Sequence, residues 1–273
     1  MSHQHAHHPH DFELPNLTDL GADLLKTTPR QRYIGLARPF IGLALYIFAV
    51  WQGWWIITPI IVFFIFVAIV TVTHDVVHGT IGLKDRQADW ALFFMGAILM
   101  ESGHAYRITH HQHHSMFPEE EDPEGYPAKI GLLGAILYGP VFLVRLWLWA
   151  FKRRPDQRGW LIIEGAIPLL TLPIGIILWE TTPAILWYWS MVIVGSWVYP
   201  LLTVYFPHKD YGDTPLTQTH TLRGRIIPAI FLELTYHLEH HLYPQVPSHN
   251  LSKLSLRLDP FLEEAGVEPW HVL

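Results

Sequence analysis

The sequence predicts an all-α integral membrane protein with four transmembrane helices in two hairpins and a helical cap on the cytoplasmic side. Three observations predict this. Half of the 273 residues are apolar and only 15% are charged, which separates the chain from an average soluble domain. Four apolar stretches approach the about 20 residues needed to cross a bilayer core of about 30 Å. The 12 Trp, 14 Phe and 11 Tyr outnumber the 18 Lys plus Arg two to one, as expected for a surface that meets lipid and its interface.

Residues 1–29 read as a flexible His-rich tail, and the opening MSHQHAHHPH holds five histidines with no hydrophobic run and no small-residue cleavage pattern. The first span runs over residues 33–50 and the second over residues 54–73, with only Trp51, Gln52 and Gly53 between them, so they form a tight hairpin. The third and fourth, residues 160–179 and 183–205, are joined by Glu180, Thr181 and Thr182 as a second hairpin. Residues 90–100 are too short to cross. Residues 131–151 are interrupted by Gly139, Pro140 and Arg145, so both pieces are expected to be interfacial or half-buried helices. The membrane domain is expected over residues 30–255, with a C-terminal tail at 256–273. Lys26, Arg30, Arg32 and Arg38 precede the first span, and Lys152, Arg153, Arg154 and Arg158 precede the third. The short hairpin loops carry no Lys or Arg. The positive-inside rule then puts both termini and the segment between the hairpins in the cytoplasm.

Composition also excludes. The net charge is −6 with scattered basic residues, which gives no field for nucleic acid. Cysteine is absent, so the chain builds no disulfide, thiolate metal site or iron–sulfur cluster. Any metal rests on His, Asp or Glu.

Histidine is where the signal lies. His74-Asp75-Val76-Val77-His78 comes directly after the second span and places two imidazoles at i and i+4 of a continuing helix. His110-His111-Gln112-His113-His114 and His237-Leu238-Glu239-His240-His241 both fit H-x-x-H-H, so His110, His113 and His114, and His237, His240 and His241, each share a helical face. All three boxes fall in segments assigned to the cytoplasmic side by an argument that never used them. Imidazole suits Zn, Cu, Fe and Ni, so ligand type does not choose the metal. Number says more, since eight neutral ligands exceed one tetrahedral zinc and match two metals with open positions. Asp75, Asp122 and Glu239 are candidate acceptors that orient the imidazoles. The acidic run from Glu119 to Asp122 is either a hydrated loop or a surface for a basic redox partner.

The boxes HDVVH, HHQHH and HLEHH, in this order around two hairpins, resemble the membrane fatty acid desaturase and hydroxylase superfamily over about residues 30–255. The resemblance implies two irons, O2 as oxidant and oxidation of a long apolar lipid. Tyr205-Phe206-Pro207-His208-Lys209 and Phe151-Lys152-Arg153-Arg154 further resemble the carotenoid ring hydroxylase and ketolase branch, which makes His208 a ninth candidate ligand. The substrate expected from this is a carotenoid ring, with a fatty acyl chain as the alternative. Electrons are expected from a separate ferredoxin or flavoprotein system. A non-catalytic metal transporter or sensor competes, but transporters place ligands near the bilayer midplane, whereas these boxes lie beyond the span ends.

Overall fold

The protein is described by a computed structural model over residues 13–273, so the His-rich segment 1–12 lies outside the described residues. The helices before the middle of the chain are α1 (Leu17–Leu20), α2 (Pro29–Trp51), α3 (Thr58–Val77), α4 (Asp85–Leu99), α5 (Gly103–Met116) and α6 (Tyr126–Lys129). Next come α7 (Gly131–Arg153), α8 (Arg158–Ile177), α9 (Ala184–Pro200) and α10 (Phe206–His208). The chain ends with β1 (Leu222–Arg223), α11 (Ile227–Ile230), α12 (His237–Leu242), α13 (Leu251–Glu264) and β2 (Trp270–His271). It divides into a membrane unit, residues 27–206, and a terminal unit made of residues up to 26 together with 207–273.

In the membrane unit, Thr28 starts α2 with a capping box to Gln31 and Pro29 fills the first helical position. Gly53, at φ 74°, turns the chain into α3. The core gathers Tyr46, Ile65, Ile69, Val72, Leu92, Met95, Leu99 and Val192 from α2, α3, α4 and α9. Outward faces stay apolar: Ile41, Ile47, Leu133, Leu137, Leu169 and Ile177 are all exposed. So broad an apolar belt is covered by lipid in a native setting. The α8–α9 hairpin is antiparallel, with Gly175 close against the backbone of Leu186 and the Trp189 indole donating to the Pro168 carbonyl at 3.1 Å.

The count of spans differs from the expectation of four. Among the described residues five helices are long and apolar enough to cross a membrane: Pro29–Trp51, Trp55–Val77, Gly131–Arg153, Pro155–Ile177 and Ala184–His208. The additional one is α7, a continuous helix of 23 residues. Its three apparent interruptions are absorbed by packing. Gly139 abuts the Trp197 carbonyl of α9, Arg145 sits 5.6 Å over the Tyr138 ring, and Pro140 removes one ladder bond without ending the helix. Residues 139–150 rise about 16 Å along α7. Their contacts nevertheless stay at one end of the α8–α9 hairpin: Gly139 on Trp197, Phe142 with Tyr199 and Val204, and Ala150 with Leu161. The Trp147 indole donates to the Leu161 carbonyl at 2.9 Å. Because the hairpin pairs Pro168 with Trp189, Leu161 and Trp197 lie near one level, so α7 runs across the hairpin's end and not alongside it.

The terminal unit has its own core. Leu251, Leu254, Leu258 and Leu262 form one stripe of α13 and bury against Leu20, Leu24, Leu238 and Tyr243. Asn250 donates to the Leu24 carbonyl at 2.9 Å, and Arg257 grips Asp23 through two bonds of 2.7 and 2.8 Å. Both expected tails are therefore shorter. Residues 14–26 are folded against α13, and the boundary expected at 255 falls inside that helix, whose leucine stripe continues to Leu262. Residues 270–271 pair in parallel with β1.

Candidate metal centre

The first two boxes meet inside the membrane unit. His74 stands in the last turn of α3 and His78 caps it, so their rings lie along one face at 4.9 Å between centroids. On α5, His110 and His114 repeat the spacing, with centroids 4.7 Å apart and Nε2 atoms 3.2 Å apart. Packing of the helices brings His78 to 4.8 Å from His114 and 5.1 Å from His110, and His74 to 5.2 Å from His110. One nitrogen from each of these four rings lies within 4.8 Å of the others. His113, on the same helix, lies 5.9 Å from His114, while His111 is exposed.

Two carboxylates behind α5 orient its rings. Asp122 accepts from His113 Nδ1 at 2.7 Å, and both oxygens of Glu124 lie 3.4 Å from His110 Nδ1. A carboxylate only accepts, so Nδ1 of His113 carries a proton and Nε2 is the nitrogen that would face a metal. Asp122 is buried against His113, whereas Glu119, Glu120 and Glu121 before it are exposed. Glu124 was not anticipated: Pro123 separates it from the acidic run, and only the fold of the loop turns it onto His110. Asp75 is buried beside His74, and its charge reaches the Tyr106 phenol.

Burial sets the charges. It holds His110 far below the ordinary imidazole value, with His114, His78, His74 and His113 adding to the effect. It drives His78 down to about 3, with His111 contributing. Both rings stay neutral at physiological pH, the form that ligates metal. For His113 burial also pulls down, but the Asp122 hydrogen bond and the nearby Glu124 outweigh it and raise the value. Glu124 is pushed by burial up to about 7, against the pull of His113.

The remaining predicted ligands gather in the terminal unit. After α9 the backbone widens into a π-helical turn at Leu201–Tyr205 before reaching α10, which ends on the buried His208. Such a turn inserts a residue and re-aims the side chains beyond it, a device common at functional sites. His208 Nδ1 donates to the Gln218 carbonyl at 3.0 Å, which leaves Nε2 unprotonated 3.0 Å from His237 Nε2. On α12, His237 and His241 stand one turn apart with centroids 4.6 Å apart, and each lies 4.9 Å from His208. His240 is buried next to them, 5.7 Å from His241. Glu239 is fully buried and accepts from Arg223 at 2.9 Å, and Arg223 also pairs with Asp259. The sequence supplied no sign of Arg223.

Two nitrogens each about 2.1 Å from one ion and at right angles to each other would stand about 3 Å apart, the spacing found for His208 with His237 and, nearly, for His110 with His114. The donor sets therefore fit a bound metal. Several helices long and apolar enough to cross a membrane, together with two clusters of histidines that could hold metal, are the features of a membrane protein built around histidine clusters. The profile named fatty acid desaturase matches residues 49–273, and the chain belongs to that family, which implies an oxidoreductase. A stretch of 67 residues is 31% identical to the acyl-lipid (9-3)-desaturase of Physcomitrium patens, covering 24% of this chain and 13% of that protein. The carotenoid branch finds no support in either match.

Proposed function

We propose that this protein is an O2-dependent membrane oxidoreductase that uses two irons to desaturate or hydroxylate a fatty acyl chain, with electrons from a separate ferredoxin or flavoprotein. The observation that carries the reading is the convergence of the predicted histidines, His74, His78, His110, His113 and His114 in one unit and His208, His237, His240 and His241 in the other, in a chain of the desaturase family. Bound iron would supply the oxidising power for an unactivated C–H bond. The histidines hold it as neutral ligands, Asp122, Glu124 and the Gln218 carbonyl fix ring tautomers, and the apolar core around α3 keeps water from the site. Acyl lipid stands ahead of a carotenoid because the family and the relative both concern fatty acyl chains. The ring-hydroxylase reading rests only on the segment around His208 and the basic stretch Phe151-Lys152-Arg153-Arg154.

The same reading keeps four spans with the histidine-bearing segments cytoplasmic, and treats α7 as a helix lying in the interface. Its contacts at one end of the α8–α9 hairpin support this, as do Lys152, Arg153 and Arg154 at its C-terminus. Expression in cells that accumulate β-carotene, with pigments and acyl lipids analysed in one extract, tests the substrate. A new double bond or hydroxyl in the acyl pool is expected. A new xanthophyll with an unchanged acyl pool would reverse the assignment.

A further inference from the structure

A polar cluster of the membrane unit that holds no box histidine joins α4, α5 and α8. His104 and Glu164 are both fully buried, and Nδ1 of the ring lies 2.7 Å from Oε1 of the carboxylate. The other oxygen, Oε2, accepts from the Ser102 hydroxyl at 2.5 Å. On the far side of the ring, Nε2 lies 3.5 Å from Asp89, which is 29% exposed and bound to the equally water-accessible Arg107 at 2.8 Å. Trp160 stacks on the imidazole at 4.7 Å and 8°. A buried carboxylate inside a lipid-covered helix is costly and is retained for a reason.

Ser102 opens onto a cavity. Its walls include Thr73, next to His74; Tyr106, which stacks on His110 at 4.7 Å; and Glu101. Glu101 Oε1 is buried and makes no hydrogen bond among the described residues. Burial pushes the Glu101 carboxyl up to about 8, so it carries a proton at neutral pH. The cluster thus reaches from the partly exposed Asp89 to the chamber beside the first two boxes.

We propose that Asp89, His104, Glu164 and Ser102 form a proton path that feeds this cavity. The inference rests on the oxidase reading, because desaturation of –CH2–CH2– with O2, two electrons and two protons yields –CH=CH– and two waters, and hydroxylation likewise consumes two protons per O2. The electrons come from the ferredoxin or flavoprotein already invoked. In each relay step a proton passes from Asp89 to His104 Nε2 across the 3.5 Å separation, and the Nδ1 proton passes to Glu164 Oε1. The carboxyl turns to present that proton to Ser102, which accepts it and releases its own hydroxyl proton into the cavity. The transfer leaves His104 as its Nε2–H tautomer, so the resting state is restored when the imidazole flips to return an N–H towards Glu164 and the hydroxyl and the carboxyl return to their starting orientations. These four are relay residues acting through one another, not groups that touch substrate.

Glu101 provides a readout that needs no turnover. On the full-length chain in detergent, its carboxylic C=O infrared band, identified by its loss in Glu101→Gln, is expected to shift quickly on transfer to D2O. In Glu164→Gln, which keeps the shape of the side chain but cannot take up a proton, exchange is expected to slow at least tenfold, with iron content unchanged. Ser102→Ala should slow it too and Ser102→Thr should not, which keeps the test alive if Glu164→Gln fails to fold. Equal exchange in wild type and Glu164→Gln, or loss of melting temperature alone, would overturn the path and leave a structural clamp. During turnover, Glu164→Gln should lower product formation at least tenfold and enlarge the solvent deuterium isotope effect. A wild type without iron or turnover would defeat the oxidase reading, while the exchange result would still decide the path.

Discussion

Asp122 is placed to orient a histidine that would ligate a metal without itself reaching the ion. Its carboxylate fixes the proton of His113 on Nδ1 at 2.7 Å. Replacement by Ala should leave the membrane unit folded and lower iron affinity about 10- to 100-fold, read as iron retained per chain through a chelating wash. Iron retention equal to wild type would remove Asp122 from this role. Glu101 gives a prediction of a different kind. Its folded value of about 8 lies above the ordinary 4.5, so between those values the folded state binds more protons than the unfolded one. Stability therefore falls as pH rises through that window. Glu101→Gln should flatten the decline, measured as melting temperature from about pH 5 to about pH 8. Asp122 was legible because it closes an acidic run beside a box. Glu124, Glu101 and Arg223 were not, since each acquires its partner through a turn or a distant helix that no local spacing encodes.

At the scale of the element, α7 separates what sequence reveals from what packing decides. Gly139, Pro140 and Arg145 read as breaks, yet the glycine is where α7 and α9 touch backbone to backbone. A Cβ there would meet the Trp197 carbonyl, which has no flexible end to swing away. Gly139→Val should therefore force the helices apart at a cost of about 1–3 kcal/mol, seen as a lower melting temperature in detergent. An unchanged melting temperature would mean that the contact carries no stability. Helices α2, α3, α8 and α9 were legible because each is a long, mainly apolar run with a marked turn. The fold of residues 251–264 was missed for the opposite reason: its mean composition is polar, and only the leucine stripe from Leu251 to Leu262 shows that one face is buried.

At the scale of the whole molecule, the chemistry depends on how many helices cross the bilayer. If α7 crossed, the loop before it and the loop after it would face opposite sides, and the basic run from Lys152 to Arg158 would leave the side on which α3 ends. Contacts of residues 139–150 with one end of the α8–α9 hairpin argue against that. The chain contains no cysteine, so single cysteines report sidedness against a silent background. Gln52→Cys lies in the α2–α3 turn, Thr182→Cys between α8 and α9, Glu121→Cys in the exposed loop after the second box, and Asp156→Cys just before α8. In intact cells a membrane-impermeant maleimide should label Gln52→Cys and Thr182→Cys, and should reach Glu121→Cys and Asp156→Cys only after the membrane is opened. Four spans with an interfacial α7 require that pattern, since α7 begins and ends on the side where α3 delivers His74 and His78. Labelling of Asp156→Cys from outside while Glu121→Cys stays protected would make α7 a true fifth span. It would also separate the start of α8, and with it Glu164, from the aqueous face that supplies Asp89.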